Sequence, residues 1–274
     1  MVDEEEAMLE MFPRYVNKKD RIFTWLNDYD SEEKIVIFGD SYAYSENKSF
    51  KDKNFENHFN NKSWFGHLHH KTKKQIWNYG CGGTSLLYSK QQLFAYLNSE
   101  YYDENDYIIF ITTSYTRIPS FPNDVTYKPN YQASILGFLD NSAPKTHESY
   151  DVFNKNKKVF EWLSYTLSKE DFINELRLLQ AFLDSLPNKT LLLPAFNYPE
   201  ADKFLDIKKF CLCDVSENEA IHDTLLLTKE HPRIMGVDPR KQHMSDTNNG
   251  ILANMIDNYF KGISSFNLED FERE

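Results

Sequence analysis

Short apolar runs punctuate the chain, and each stops abruptly at turn-forming or hydroxyl-bearing residues. Ile35-Val36-Ile37-Phe38 is the clearest; Gln75 to Tyr79, Tyr107 to Ile111 and Thr190 to Phe196 are the others, with a shorter one at Phe210 to Val215. Uninterrupted β-branched and aromatic residues over four or five positions predict strands buried on both faces, as in a parallel sheet. Between them the period changes. Ser63 can cap a short helix with Trp64, Phe65 and Leu68 on one stripe, and a second helix is expected from about Ser85 to Leu97. Further helices are expected over 151–166, over 169–185 with Phe172, Leu176, Leu179 and Phe182 on one face, and over 247–260. In the last, Ile251, Leu252, Met255, Ile256 and Tyr259 mark the buried side. Ile22, Phe23, Trp25 and Leu26 cluster within 18–27 and predict a helix lying on the core. Alternating strands and helices predict an α/β fold, a three-layer α/β/α sandwich around a parallel sheet of about five strands. The expected organisation is an N-terminal helical extension over 1–32, a main domain over 33–264 with an irregular excursion at 118–150, and a polar tail over 265–274.

Composition narrows the classes. A net charge of −11 argues against a general nucleic-acid binder and against adhesion to anionic membranes. The N-terminus begins Met1-Val2-Asp3-Glu4-Glu5-Glu6, acidic where a secretion signal is basic, and no apolar run approaches the ~20 residues of a membrane-spanning helix. Three cysteines, Cys81, Cys211 and Cys213, fit reduced thiols better than a disulfide framework. The expected location is cytoplasmic or virion-associated. Cys211-Leu212-Cys213 lacks the spacing of a zinc knuckle and reads as strand packing. His67, His69 and His70, crowded by Lys71, Lys73 and Lys74, read as surface residues, so no metal is expected.

The candidate chemistry lies where the apolar runs stop. Gly39-Asp40-Ser41 follows the first, and open α/β sheets bind ligands beyond the carboxyl ends of their strands. The second runs into Gly80-Cys81-Gly82-Gly83-Thr84-Ser85, whose glycines permit close backbone approach at a helix start. The spacing of a dinucleotide fingerprint is absent, and no phosphate-binding lysine follows. The third ends in Thr112-Thr113-Ser114-Tyr115-Thr116-Arg117. His243 falls in Asp238-Pro239-Arg240-Lys241-Gln242-His243-Met244-Ser245-Asp246, just before the last helix.

In this order these segments resemble the SGNH (GDSL-type) hydrolase family over roughly residues 33–262. The resemblance implies a serine esterase without metal or organic cofactor. Ser41 would be the nucleophile and His243 the base that later protonates the leaving alcohol. The amides of Ser41 and Gly83 would bind the oxyanion, Asn78 and Gly83 matching the family's second block. Two departures stand out. Ser114 falls nearest the asparagine that donates to the oxyanion in the family, and losing such a donor typically costs on the order of 10²–10³ in rate. Arg240 stands three before His243, where the family has aspartate, so the triad acid is Asp238, five before, or Asp246, or the site is a Ser–His dyad. Arg117 would contact substrate or brace the loop.

The implied substrate is a small-molecule or glycan carboxylic ester, with an O-acetyl group on a carbohydrate suggested by the family and by 15% aromatic residues. The rival expectation is a non-catalytic SGNH-like binding or virion module. Short, signal-less chains with a hydroxyl-rich third block look like bacteriophage proteins, and the two departures favour that rival.

Overall fold

The computed structural model describes residues 24–40, 42–43, 63–80, 85–113, 168–216, 244, 246–263 and 266–271. Its centre is a five-stranded sheet of β1 (Thr24–Leu26), β2 (Lys34–Phe38), β3 (Gln75–Asn78), β4 (Tyr107–Ile111) and β5 (Lys189–Leu193), in the order β1-β3-β2-β4-β5. β3, β2, β4 and β5 are parallel neighbours, with Val36 opposite both Trp77 and Ile108. β1 pairs antiparallel with β3, so the sheet is mixed and not parallel throughout, as the apolar runs predict.

The runs are apolar throughout because both faces of the central strands are covered. Ile35, Ile37, Ile109, Ile111, Leu191 and Leu193 join one buried cluster with Trp64, Phe65 and Leu68 of α1 (Trp64–Thr72) and Leu252, Ala253, Met255 and Ile256 of the C-terminal helix Asp246–Phe260. Val36, Phe38, Ile108, Phe110 and Leu192 join a second cluster with Leu86, Leu93 and Tyr96 of α2 (Leu86–Leu97) and Ile173, Leu176, Leu179 and Leu183 of α3 (Lys169–Asp184). The helices start where the sequence places them, and each start is capped by a serine. The Ser63 hydroxyl accepts the Gly66 amide at 3.1 Å, and Ser85 caps α2 through Tyr88. Ser168 and Asp171 cap each other's amides at the start of α3.

Four sequence expectations are corrected. The helix expected over 18–27 is, at 24–26, the edge strand β1. Its adjacent apolar residues serve opposite faces, Leu26 joining the first cluster and Trp25 packing against the second, which is the two-residue period of a strand. The strand expected at 210–215 is instead α4 (Leu212–Ser216). The amides of Leu212 and Cys213, in the first turn of this helix, bond the carbonyls of Pro194 and Ala195 just past β5. The buried face of α3 is rotated, because Phe172 and Phe182 are half-buried at its margins against Tyr198 and Phe94. His69 is fully buried and not a surface residue. It follows Phe65 by four positions, so it shares the apolar stripe of α1. The helix expected over 151–166 and the excursion 118–150 lie outside the described residues. The C-terminal helix Asp246–Phe260, α5, forms as expected and packs against α1.

Candidate active site

From β2 the chain passes to β3 on one side and then crosses to β4 on the other. β2 is followed by β3 on one side and β4 by β5 on the other, so the chain parts between β2 and β4. Open α/β sheets bind ligands beyond the carboxyl ends of the strands at such a point.

The residues at this edge are tied together by polar contacts. Asp40, directly after Gly39, has no exposure to water. Its Oδ1 accepts the Tyr42 amide at 3.1 Å, and its Oδ2 accepts the Thr113 hydroxyl at 3.0 Å from the end of β4. The Ala43 amide closes the turn on the Asp40 carbonyl at 3.0 Å. Asn78, the last residue of β3, donates Nδ2 to the Ala43 carbonyl at 2.6 Å and accepts the Gly80 amide on Oδ1 at 2.8 Å. Thr112 carries the lacing to the next strand, its hydroxyl accepting the Ala195 amide at 3.0 Å. Trp64 of α1 donates its indole N–H to the Tyr42 carbonyl at 2.9 Å. The ends of four adjacent strands are thus joined by buried, satisfied hydrogen bonds, which hold this edge rigid.

Two glycines are dictated by space. A Cβ on Gly80 would lie 2.4 Å from Cβ of Ala43 and 2.8 Å from its carbonyl carbon. Gly39, at φ +155°, would bring a Cβ within 2.7 Å of Ile111 Cβ. Strand ends and turn approach so closely that no side chain fits between them. Tyr42 is buried beside Phe196, with ring centroids 5.9 Å apart. Burial first, and then Cys213 nearby, pushes its phenol far above the usual tyrosine range, so it stays protonated.

The residues assigned to catalysis by resemblance, Ser41, Gly83, Ser114, Arg117, Asp238 and His243, lie outside the described residues. Their chain neighbours are described. Asp40 and Tyr42 flank Ser41, Thr113 precedes Ser114, and Met244 follows His243. Met244 is buried in the same cluster as Tyr42 and Ala43. Asp246 opens α5. Sequence reasoning missed the bonds that brace this edge. Two consecutive threonines ending a buried strand are their only visible sign, because Thr113 and its partner Asp40 are 73 positions apart.

Two further features lie at the opposite end of the sheet. A cavity of about 440 Å³ is lined by Trp25, Lys34, Trp77, Tyr101 and Asp103, among others. Asp28, His69 and His70 bring three potential metal-ligand atoms within 4.8 Å of one another. No helix among the described residues is long and apolar enough to cross a membrane. No family model, no curated protein and no solved structure matches this chain.

Proposed function

We propose that this protein is a serine esterase of SGNH type that cleaves a carboxylic ester, its substrate class being O-acetylated carbohydrate. The observation that carries the reading is the Asp40–Thr113 bond, which closes the turn after the central strand β2 onto the end of β4 at the switch point. Ser41 is covalently bounded by two residues of that turn, Asp40 and Tyr42. The order of the parallel strands lends support: counted from β2 it runs second, first, third, fourth, the beginning of the flavodoxin-like order. In this reading the helices contributing to the two buried clusters form the outer layers of an α/β/α sandwich.

The chemistry then follows ordinary acyl transfer. Ser41 Oγ attacks the ester carbonyl carbon as His243 takes its proton. The carbonyl oxygen becomes an oxyanion, held by the amides of Ser41 and Gly83 and by the Ser114 hydroxyl. The C–O bond to the alcohol breaks as His243 returns the proton to it. Water, deprotonated by the same histidine, releases the acid and restores Ser41. Asp238 or Asp246 orients the imidazole. Asp40 is a positioning residue: both carboxylate oxygens accept hydrogen bonds from the turn and from β4. The reading is tested by hydrolysis of p-nitrophenyl acetate. Turnover by the wild type that disappears in Ser41→Ala supports it. An inert wild type, or a Ser41→Ala chain of equal activity, overturns it.

A further inference from the structure

We propose that Asp28, His69 and His70 form a zinc site that fastens the exit of β1 to the end of α1. The ring of His69 is buried, with no exposure to water. Its Nδ1 lies 2.6 Å from the Lys74 carbonyl oxygen. A carbonyl only accepts, so Nδ1 carries the proton. The other nitrogen, Nε2, faces Asp28 Oδ2 at 3.2 Å. In a neutral ring Nε2 then presents a lone pair to a carboxylate oxygen, which repels it. A cation between the two reconciles them. A histidine whose far nitrogen is fixed by a backbone carbonyl is the usual support of a metal-ligating imidazole. The spacing also suits an ion: two ligands about 2.1 Å from a tetrahedral zinc stand about 3.4 Å apart.

His70 supplies the third ligand. Its Nδ1 is 3.0 Å from the Tyr29 hydroxyl, which can donate to it or accept from it, so the contact leaves the choice of ligating nitrogen open. One nitrogen from each histidine and one Asp28 oxygen fall within 4.8 Å of one another. Two imidazoles and one carboxylate suit zinc better than magnesium or calcium, which prefer oxygen. The Asp28 side chain is 63% exposed, leaving a solvent-facing position for a water as fourth ligand. The ammonium of Lys73, 2.9 Å from the Tyr29 hydroxyl, opposes a cation here, and the Asp28 carboxylate offsets it.

The location assigns a structural task. β1 is three residues long, and its last residue, Leu26, pairs with Ile76 at the start of β3. An ion held by Asp28 and by the last turn of α1 would clamp this short edge strand at the end of the sheet away from Asp40 and Thr113. Ester hydrolysis is not expected to depend on it, so this proposal and the proposed function fail independently.

The test uses the full chain after treatment with a chelator. Zinc is titrated by calorimetry, and cobalt(II) serves as a spectroscopic substitute. The expected result is one ion per chain, the visible absorption of tetrahedral cobalt, and a melting temperature that rises with zinc. Asp28→Asn and His70→Ala, both outside the fully buried core, should weaken binding roughly tenfold or more while circular dichroism stays native. Absence of stoichiometric binding overturns the proposal, as does zinc binding that neither variant weakens. A chain indifferent to zinc in which Asp28→Asn still lowers the melting temperature also overturns it, showing a direct Asp28–His69 contact with no ion.

Discussion

Thr113 donates its hydroxyl to Asp40 at 3.0 Å, joining the end of β4 to the turn that follows β2. Asp40 is wholly buried and Thr113 nearly so. Removing a donor from a buried carboxylate costs the desolvation that the bond had offset. Thr113→Val keeps the shape and deletes the hydroxyl. It should lower the unfolding free energy by about 1–3 kcal/mol in urea titrations. It should also reduce ester turnover in protein that remains folded, because the turn next to Ser41 loses its brace. Full turnover at lowered stability would show that Asp40 and Thr113 serve the fold alone.

A second prediction concerns Gly80. A methyl group there meets the backbone of Ala43 at 2.8 Å and the Asn78 side chain at 2.9 Å, neither of which can yield without breaking the bonds that Asn78 makes. Gly80→Ala should therefore cost about 1–3 kcal/mol, the usual penalty of overpacking. Asn78→Ala removes the same tie by another route, at about 1–3 kcal/mol. The double variant should lose less than the sum of the two singles, since both break one contact. Additive losses, measured by chemical denaturation, would contradict a shared origin.

At the opposite end of the sheet Lys34 lies 3.2 Å from Asp106, with side chains 13% and 1% exposed. Tyr96 donates its hydroxyl to the same carboxylate. Burial pushes the Asp106 carboxyl above the ordinary range, opposed first by Tyr96 and then by Lys34. Lys34→Met strands a buried charge and should destabilise the protein by about 3–5 kcal/mol at neutral pH. The pH dependence has a definite sign. A carboxyl whose folded pKa is raised binds a proton more readily folded than unfolded, so acid relieves its burden. Removing Lys34 raises it further. The deficit of Lys34→Met should therefore shrink as pH falls through the folded value of Asp106. Urea midpoints of wild type and variant at neutral and mildly acidic pH check this, and a deficit that grows on acidification would contradict it.

What was legible in the sequence follows from how local each signal is. β2 and β4 stood out because both of their faces are buried, leaving no polar interruption from Ile35 to Phe38 or Ile108 to Ile111. The cap at Ser63 was legible because a cap bonds an amide only three residues on. β1 was not, because two adjacent apolar residues on opposite faces of a three-residue strand carry no distinguishable period. The Cys211–Cys213 stretch misled because the amides of Leu212 and Cys213 bond the chain beyond β5 as a strand's would, although they open α4. His69 misled because the lysines around it are polar while its own position shares the stripe of Phe65. At the candidate site, Gly39 and Asp40 announced a turn. That Asp40 would be claimed by Thr113, and Ala43 by Asn78, is information about pairing across strands, which local sequence does not contain.

In the proposed esterase, the turn held by Asp40 and Thr113 carries Ser41 as the nucleophile. The most direct measurement is to treat the folded chain with a fluorophosphonate probe and locate the adduct by peptide mass spectrometry. The expected result is phosphonylation on Ser41, lost in Ser41→Ala and strongly slowed in His243→Ala. A folded wild type that carries no adduct on Ser41 would contradict it.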